Sequence, residues 1–219
     1  MVMEYMQLQD AAASPHFLLP SLHATPLPIR RSEQTPRKAT RGMMSTVVRL
    51  EEGHDGVQAY VAAEVAKGFP HVYATAVQDN KDVIALIGDL TEDEGMAVTP
   101  VDIWRVYDVM KHMTLTVQRS QIRFDALLQG KDFMSPPPVD PASVDFGPFT
   151  SLRSAYIDGM ADVLAMLRAA DQAFGLEATS THPVFGTYNW QGWTVFSHHV
   201  HTHDHIGQLT KIVEALRPA

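Results

Sequence analysis

Residues 189–216 read NWQGWTVFSHHVHTHDHIGQLTKIVEAL, and they decide the fold predicted for this chain. Asn189 is a suitable N-cap, and the apolar residues after it recur at the three- and four-residue spacing of an α-helix. At about 100° per residue, one side of this helix carries a mixed set of side chains: His198, His201, His205, Gln208, Leu209 and Ile212, with Trp190 and Thr194. His199 and His203 fall on the other side, where we expect them to be solvated.

Three further amphipathic segments precede this helix. The first covers residues 56–90 and is interrupted at Pro70. The second begins after an N-cap at Thr99, with Pro100 in its first position, and runs to about Leu128. The third starts at Thr150 or Ser151. Proline interrupts a helix because it removes a backbone donor, but it suits the first helical position. Residues 131–148 and 179–188 are predicted loops. Four long amphipathic helices with few loops predict an all-α fold, a four-helix bundle.

The chain of 219 residues is long enough for one domain with a tail. Residues 1–44 lack apolar periodicity and place prolines among Ser, Thr and Ala, as disordered segments do. We therefore predict a disordered N-terminal extension at 1–44 and the bundle domain at 45–219. A transit peptide and a start codon placed too early remain alternatives for the extension.

Charge and cysteine content exclude several classes of function. The net charge is −8, from 17 Lys and Arg against 25 Asp and Glu, which argues against a nucleic-acid partner. The apolar runs are too short to span a bilayer, so we expect no membrane partner and a cytoplasmic location. The chain has no cysteine, so a metal site must use His, Asp, Glu or amide ligands.

Histidines supply the candidate ligands. His201 and His205 lie one helical turn apart on the same face, so two imidazoles can reach one divalent ion. His112 lies on the inward strip of the second helix with Trp104 and Asp108. Three inward histidines are the usual protein share of an open catalytic metal site. A solvated histidine-rich face, and a hydrogen-bonded core role for His112, remain alternatives.

Other motifs provide weaker evidence for a functional site. No His-Glu-x-x-His occurs, and the one Glu-x-x-His, Glu51 to His54, precedes the first convincing helix, which excludes a ferritin-like di-iron site. Arg119 and Arg123 lie one turn apart on the second helix. They are suited to an anionic substrate, although such pairs are more often solvated or salt-bridged.

Two stretches resemble a known family. The turn His182-Pro183-Val184-Phe185-Gly186, followed by Trp193 and by residues 201–209 (HTHDHIGQL), is similar to the end of a DinB-like domain. Residues 103–113 (IWRVYDVMKHM) resemble the second helix of that family, which carries a single histidine. The resemblance covers roughly residues 55–216 and leaves out residues 1–44.

The resemblance implies a four-helix bundle with an up-down-down-up arrangement. It also implies a divalent metal, often zinc or nickel, on three histidines, which are His112, His201 and His205 in this chain. Family members with assigned activity include thiol-dependent S-transferases and mycothiol-dependent maleylpyruvate isomerases.

These observations together predict a cytoplasmic DinB-like metalloenzyme of the hydrolase or thiol S-transferase type. Its substrate would be a small molecule, and a low-molecular-weight thiol would come from outside because the chain has no cysteine. His198 and Asp108 are the candidates for proton transfer. A non-catalytic metal-binding or stress-related structural protein is the alternative. A second apolar side on the fourth helix, at Trp193, Phe196 and Val200, permits a homodimer.

Overall fold

The computed structural model describes residues 47–48, 50, 53–137 and 139–217. Most of these residues are helical, which confirms the prediction of an all-α fold. The predicted extension, residues 1–44, lies outside the described residues. Within the described ranges, no helix combines the length and the apolar character needed to cross a membrane.

Long helices and one small hairpin make up the described chain. The helices are α1 (Gly53–Ala66), α2 (Phe69–Ile87), the short α3 (Glu92–Met96), α4 (Val106–Leu128), α5 (Phe149–Ala169), α6 (Trp190–Val195) and α7 (His201–Leu216). The π segment (Phe196–Val200) joins α6 to α7, and a short 3₁₀ turn covers Pro141–Ser143. The strands β1 (Ser180–His182) and β2 (Gly186–Tyr188) form an antiparallel hairpin.

The interruption predicted at Pro70 is confirmed. Helix α1 ends at Ala66 and α2 begins at Phe69, with Pro70 in its first turn, where a missing N–H costs nothing. Gly68 makes the turn between them with a positive φ of 91°, a conformation that glycine adopts without strain. The predicted first helical segment is therefore two helices.

The start of the second predicted helix is corrected. We expected it at Thr99, but α4 begins at Val106. The carboxylate of Asp102 accepts the backbone N–H of Trp104, and Asp108 accepts that of Arg105. Such side-chain to backbone bonds hold the preceding segment in an irregular conformation and cap the helix where it starts.

The two later helices start close to their predicted positions. Helix α5 begins at Phe149, whose N–H is bound by the carboxylate of Glu92. Asn189 caps α6 as predicted, since its Oδ1 accepts the N–H of Gly192. The fourth helix is not regular throughout, because the π segment interrupts it.

The four long helices α2, α4, α5 and α7 surround the core, each in contact with two of the others. Helix α4 packs against α5 and α7, and α2 packs against the same two partners. Helix α1 lies outside these four helices, against α2 and α6. Whether the arrangement is the DinB-type bundle stays a prediction.

The apolar side proposed for dimer contact is buried within the chain. Trp193, Phe196 and Val200 all belong to the hydrophobic core. Every residue from 190 to 200 is in fact buried. The homodimer stays a prediction, but this side of the helix does not support it.

The hairpin replaces part of a predicted loop, 179–188. Ser180 pairs with Tyr188 and His182 with Gly186. Gly186 has a φ of 98°, a backbone conformation that residues with a Cβ atom rarely adopt, which favours glycine here. The hairpin therefore fixes His182 against the helices.

Candidate metal centre

Helices α4 and α7 bring the three predicted ligands together. His112 lies in the second turn of α4, and His201 and His205 lie one turn apart at the start of α7. The Nε2 atom of His201 is 2.9 Å from that of His112 and 3.2 Å from that of His205. All three ligand atoms lie within 4.8 Å of one another. The group can hold a metal ion.

These distances suit one shared ion. Two nitrogens bound to one first-row divalent ion at about 2.0–2.1 Å, with angles between octahedral and tetrahedral, are about 2.9–3.4 Å apart. Hydrogen bonds among the imidazoles alone would not satisfy all three nitrogens. The Nε2 atom of His201 faces two others, and a neutral ring nitrogen can donate or accept, but not both.

Burial keeps these imidazoles neutral at pH 7. It lowers the pKa of His112 to about 3, with the charges of His205 and Arg119 adding to the shift. It also lowers the pKa of His201 well below the ordinary value, and the other two ligands add to that effect. The pKa of His205 is lowered by burial as well, and its hydrogen bond to Gln208 opposes this. Neutral imidazoles present the lone pairs that a metal requires.

A chain of side chains orients His205. Nδ1 of His205 is 2.9 Å from Oε1 of Gln208, so Nδ1 carries the proton and Nε2 faces the group. Nε2 of Gln208 donates to Oδ2 of Asp102 at 3.0 Å, and Oδ1 of Asp102 accepts the N–H of Trp104. Partners of this kind fix the tautomer and ring orientation of a ligating histidine.

We expect Gln208→Leu to weaken metal binding about 10- to 100-fold, because His205 loses the acceptor that fixes its tautomer. Competition with a metal-chelating dye at pH 7 measures the change. Gln191→Leu is a control, since Gln191 donates to a backbone carbonyl outside the group. Equal affinity in Gln208→Leu and the wild type would contradict the orienting role of Gln208.

Trp104 forms one wall of the site. Its ring stacks at 6.5 Å on His205 and lies edge-on at 5.7 Å to His112. The sequence predicts Trp104 on the inward face of the second helix, but it does not indicate that Asp102 belongs to the site. Its signal is weak, since an aspartate before a helix is usually a cap.

The π segment immediately precedes the first ligand of α7. The N–H of His201 binds the carbonyl of Phe196, five residues back, in place of the four-residue step of an α-helix. Short π turns occur frequently at functional sites. The extra residue in this turn sets the direction in which α7 continues from α6.

His199 does not lie in solvent as the sequence predicted, because α1 covers that side of the helix. His199 is buried, and its Nδ1 is 2.6 Å from Oδ2 of Asp79. Its Nε2 is 2.8 Å from the phenol oxygen of Tyr60. His203 is partly buried beside it, with ring centroids 6.1 Å apart. His199 therefore ties the π segment to α2 and α1 and stands apart from the metal group.

His198 lies close to the three ligands in the protein interior. It is 2% exposed, and its Nε2 has no hydrogen-bond partner among the described residues. Burial, with the charge of Arg123 adding to it, lowers its pKa to about 3. His198 and His201 line the same cavity, of about 10 Å³, which is about the space that one water needs.

Asp108 is engaged at the start of α4. Both carboxylate oxygens lie 2.8 Å from the guanidinium of Arg105, and Oδ2 also accepts the Arg105 N–H at 3.0 Å. This pairing holds the pKa of Asp108 below its usual value. Its part in proton transfer stays a prediction, while its contacts give it a capping role.

Comparison with known proteins adds no relative to this geometry. No family model matches the chain, and no curated protein and no solved structure matches it either. The class of site is defined by its own atoms: a cluster of three neutral histidines, contributed by two helices, that can hold a metal ion.

Proposed function

We propose that this protein is a DinB-like metal-dependent enzyme that binds zinc or nickel through His112, His201 and His205. The convergence of the three Nε2 atoms carries the proposal, because neutral imidazoles at 2.9 Å and 3.2 Å satisfy one another poorly without a cation. The four long helices around the core, and the placing of one ligand on α4 and two on α7, support the DinB-like assignment.

Ligand number favours catalysis over a structural role. Among the residues that the structure describes, the group consists of three histidines, without an Asp or Glu as a fourth member. Structural zinc sites use four protein ligands. Each of the three histidines is only partly buried, so the group keeps some contact with solvent. A further coordination position is then available to a substrate.

The proposed reaction class rests on the resemblance to the DinB-like family and is consistent with the chemistry of such a centre. A divalent ion held by three neutral ligands keeps its full charge and lowers the pKa of a coordinating water or thiol. We assign the protein to the hydrolases or to the thiol-dependent S-transferases, with a small-molecule substrate in the cytoplasm. Because the chain has no cysteine, a thiol must come from a second substrate.

His198 is the better placed of the two proton-transfer candidates. It lines the cavity that His201 also lines, and its Nε2 has no hydrogen-bond partner among the described residues. The carboxylate of Asp108 already binds Arg105 through both oxygens. In this proposal Asp108 caps the start of α4, one turn before His112, and so helps to position His112.

Metal analysis of protein purified without a histidine tag tests the proposal. We expect about one equivalent of zinc or nickel per chain. The loaded protein should hydrolyse a p-nitrophenyl ester, or transfer the thiol of glutathione to an aromatic electrophile, and the chelated protein should not. His203→Ala is the control, because His203 lies on α7 outside the group.

Two results would contradict the proposal. Protein that takes up neither zinc nor nickel on reconstitution would remove the metal site. Stoichiometric metal without turnover in either assay, together with exclusion of exchangeable ligands such as azide, would favour the structural alternative.

A further inference from the structure

Arg119 and Arg123 follow His112 along α4, and Arg123 is buried where the sequence suggested a solvated or salt-bridged pair. Arg123 is 3% exposed, and its guanidinium carbon lies 3.5 Å above the ring of Trp193. It donates to Oγ of Ser135 at 3.2 Å, while its Nε has no partner among the described residues. The more exposed Arg119 donates to the carbonyl of Pro137 at 3.4 Å.

Neither guanidinium forms an ion pair with any residue that the structure describes. A buried cation without a counter-charge is costly, because it loses its hydration. Burial, with the charge of Arg119 adding to it, lowers the pKa of Arg123 to about 9. The two like charges therefore face a region that an anion would stabilise.

His182 adds a neutral donor to the same region. Its Nδ1 accepts the backbone N–H groups of Val184 at 3.1 Å and Phe185 at 3.3 Å, so the ring proton lies on Nε2. Burial, followed by the charges of Arg123 and Arg119, lowers its pKa to about 4. Its ring lies 6.5 Å from that of Trp193, on which Arg123 stacks.

These groups come from separate elements that meet beside the three ligands. Ser135 belongs to the loop after α4, and its Oγ is 3.3 Å from Oγ of Ser180 in β1. Arg119 lies seven residues after His112 on the same face of α4, about two turns or about 10 Å along the helix. The cations and the candidate metal centre therefore lie within electrostatic reach of each other.

We propose that Arg119, Arg123 and His182 form a subsite for an oxyanion of the substrate, either a carboxylate or a phosphate group. The subsite rests on the proposed function, since it binds the substrate on which the metal centre acts. Arginine suits this task because its planar fork gives two parallel hydrogen bonds to an oxyanion. Stacking on Trp193 holds the fork of Arg123 in one orientation.

Calorimetric titration with inorganic phosphate and with benzoate, at constant ionic strength in chloride, tests the subsite. We expect one of these anions to bind the metal-free wild type, because the arginines do not depend on the ion. Arg119→Gln and Arg123→Met should each lower its affinity about 10-fold or more, through loss of charge-assisted hydrogen bonds. Arg168→Gln, an exposed position in the last turn of α5, should leave it unchanged.

His112→Ala separates this inference from the metal site. Anion binding that survives in His112→Ala but falls in Arg119→Gln supports the subsite, whether or not the metal assignment holds. A preference for phosphate or for benzoate then identifies the substrate group. Binding that is lost in His112→Ala and kept in both arginine variants would overturn the subsite, as would no binding of either anion. Arg119 is only partly buried, so its variant decides the matter even if Arg123→Met does not fold.

Discussion

Replacing any one of His112, His201 or His205 with Ala should reduce metal affinity by more than about 100-fold. Loss of a side chain that merely orients a ligand already costs about 10- to 100-fold, and loss of the ligand itself removes a bond to the ion. Protein purified without a tag and analysed for zinc and nickel should hold about one equivalent in the wild type and little in each variant.

The three changes should not add. Once one ligand is lost the site is already broken, so His112→Ala/His201→Ala should bind metal about as poorly as either single variant. His203→Ala is the matched control on α7, since His203 lies between two ligands in sequence but outside the group. Stoichiometric metal retained by His112→Ala would remove His112 from the site and leave a pair on α7.

Metal should also stabilise the fold. An ion that binds the folded protein alone raises its free energy of unfolding by mass action, about 4 kcal/mol at a thousand times the dissociation constant. The Ala variants should therefore melt at the same temperature with and without added metal.

The sequence predicted the ligands where the helices are regular. His201 and His205 are four residues apart within α7, so helical spacing predicts their shared face, and His112 lies inside α4 on the strip predicted to face inward. The structure brings the three together, and their binding of a metal stays a prediction. Helical spacing does not determine the distances between His112 and the two histidines of α7, because these depend on how α4 packs against α7.

Local helical spacing failed where other interactions decide. His199 is buried although the helical wheel predicts a solvated side, because α1 packs over that side and Tyr60 contacts the imidazole. Asp102 and Asp108 moved the start of α4 beyond Thr99 through backbone hydrogen bonds. The burial of Arg123 depends on Trp193 and Ser135, which are distant in sequence. No periodicity in one segment carries such information.

His199→Leu should lower the free energy of unfolding by about 3–5 kcal/mol, because it leaves a buried carboxylate without its partner. The side chains of His199 and Asp79 are 10% and 9% exposed, and their bond joins the π segment to α2. Urea unfolding of chelated protein at pH 7 measures the loss without a contribution from metal binding. His203→Leu, on the adjacent turn, should cost much less.

A second substitution, at Asp79, distinguishes the loss of the contact between His199 and Asp79 from a loss of packing around His199. In Asp79→Leu/His199→Leu no charge is left buried, and apolar replacement of a whole buried pair is often neutral. The double variant should therefore regain much of the stability lost in His199→Leu, and the double-mutant cycle should show coupling well above about 0.5 kcal/mol. The chelated His199→Leu protein, reloaded with zinc, should still bind one equivalent, because His199 faces Tyr60 and Asp79 and is not one of the three ligands. If His199→Leu and the double variant were equally unstable, the loss would lie in the packing of the π segment and the hydrogen bond between His199 and Asp79 would contribute little.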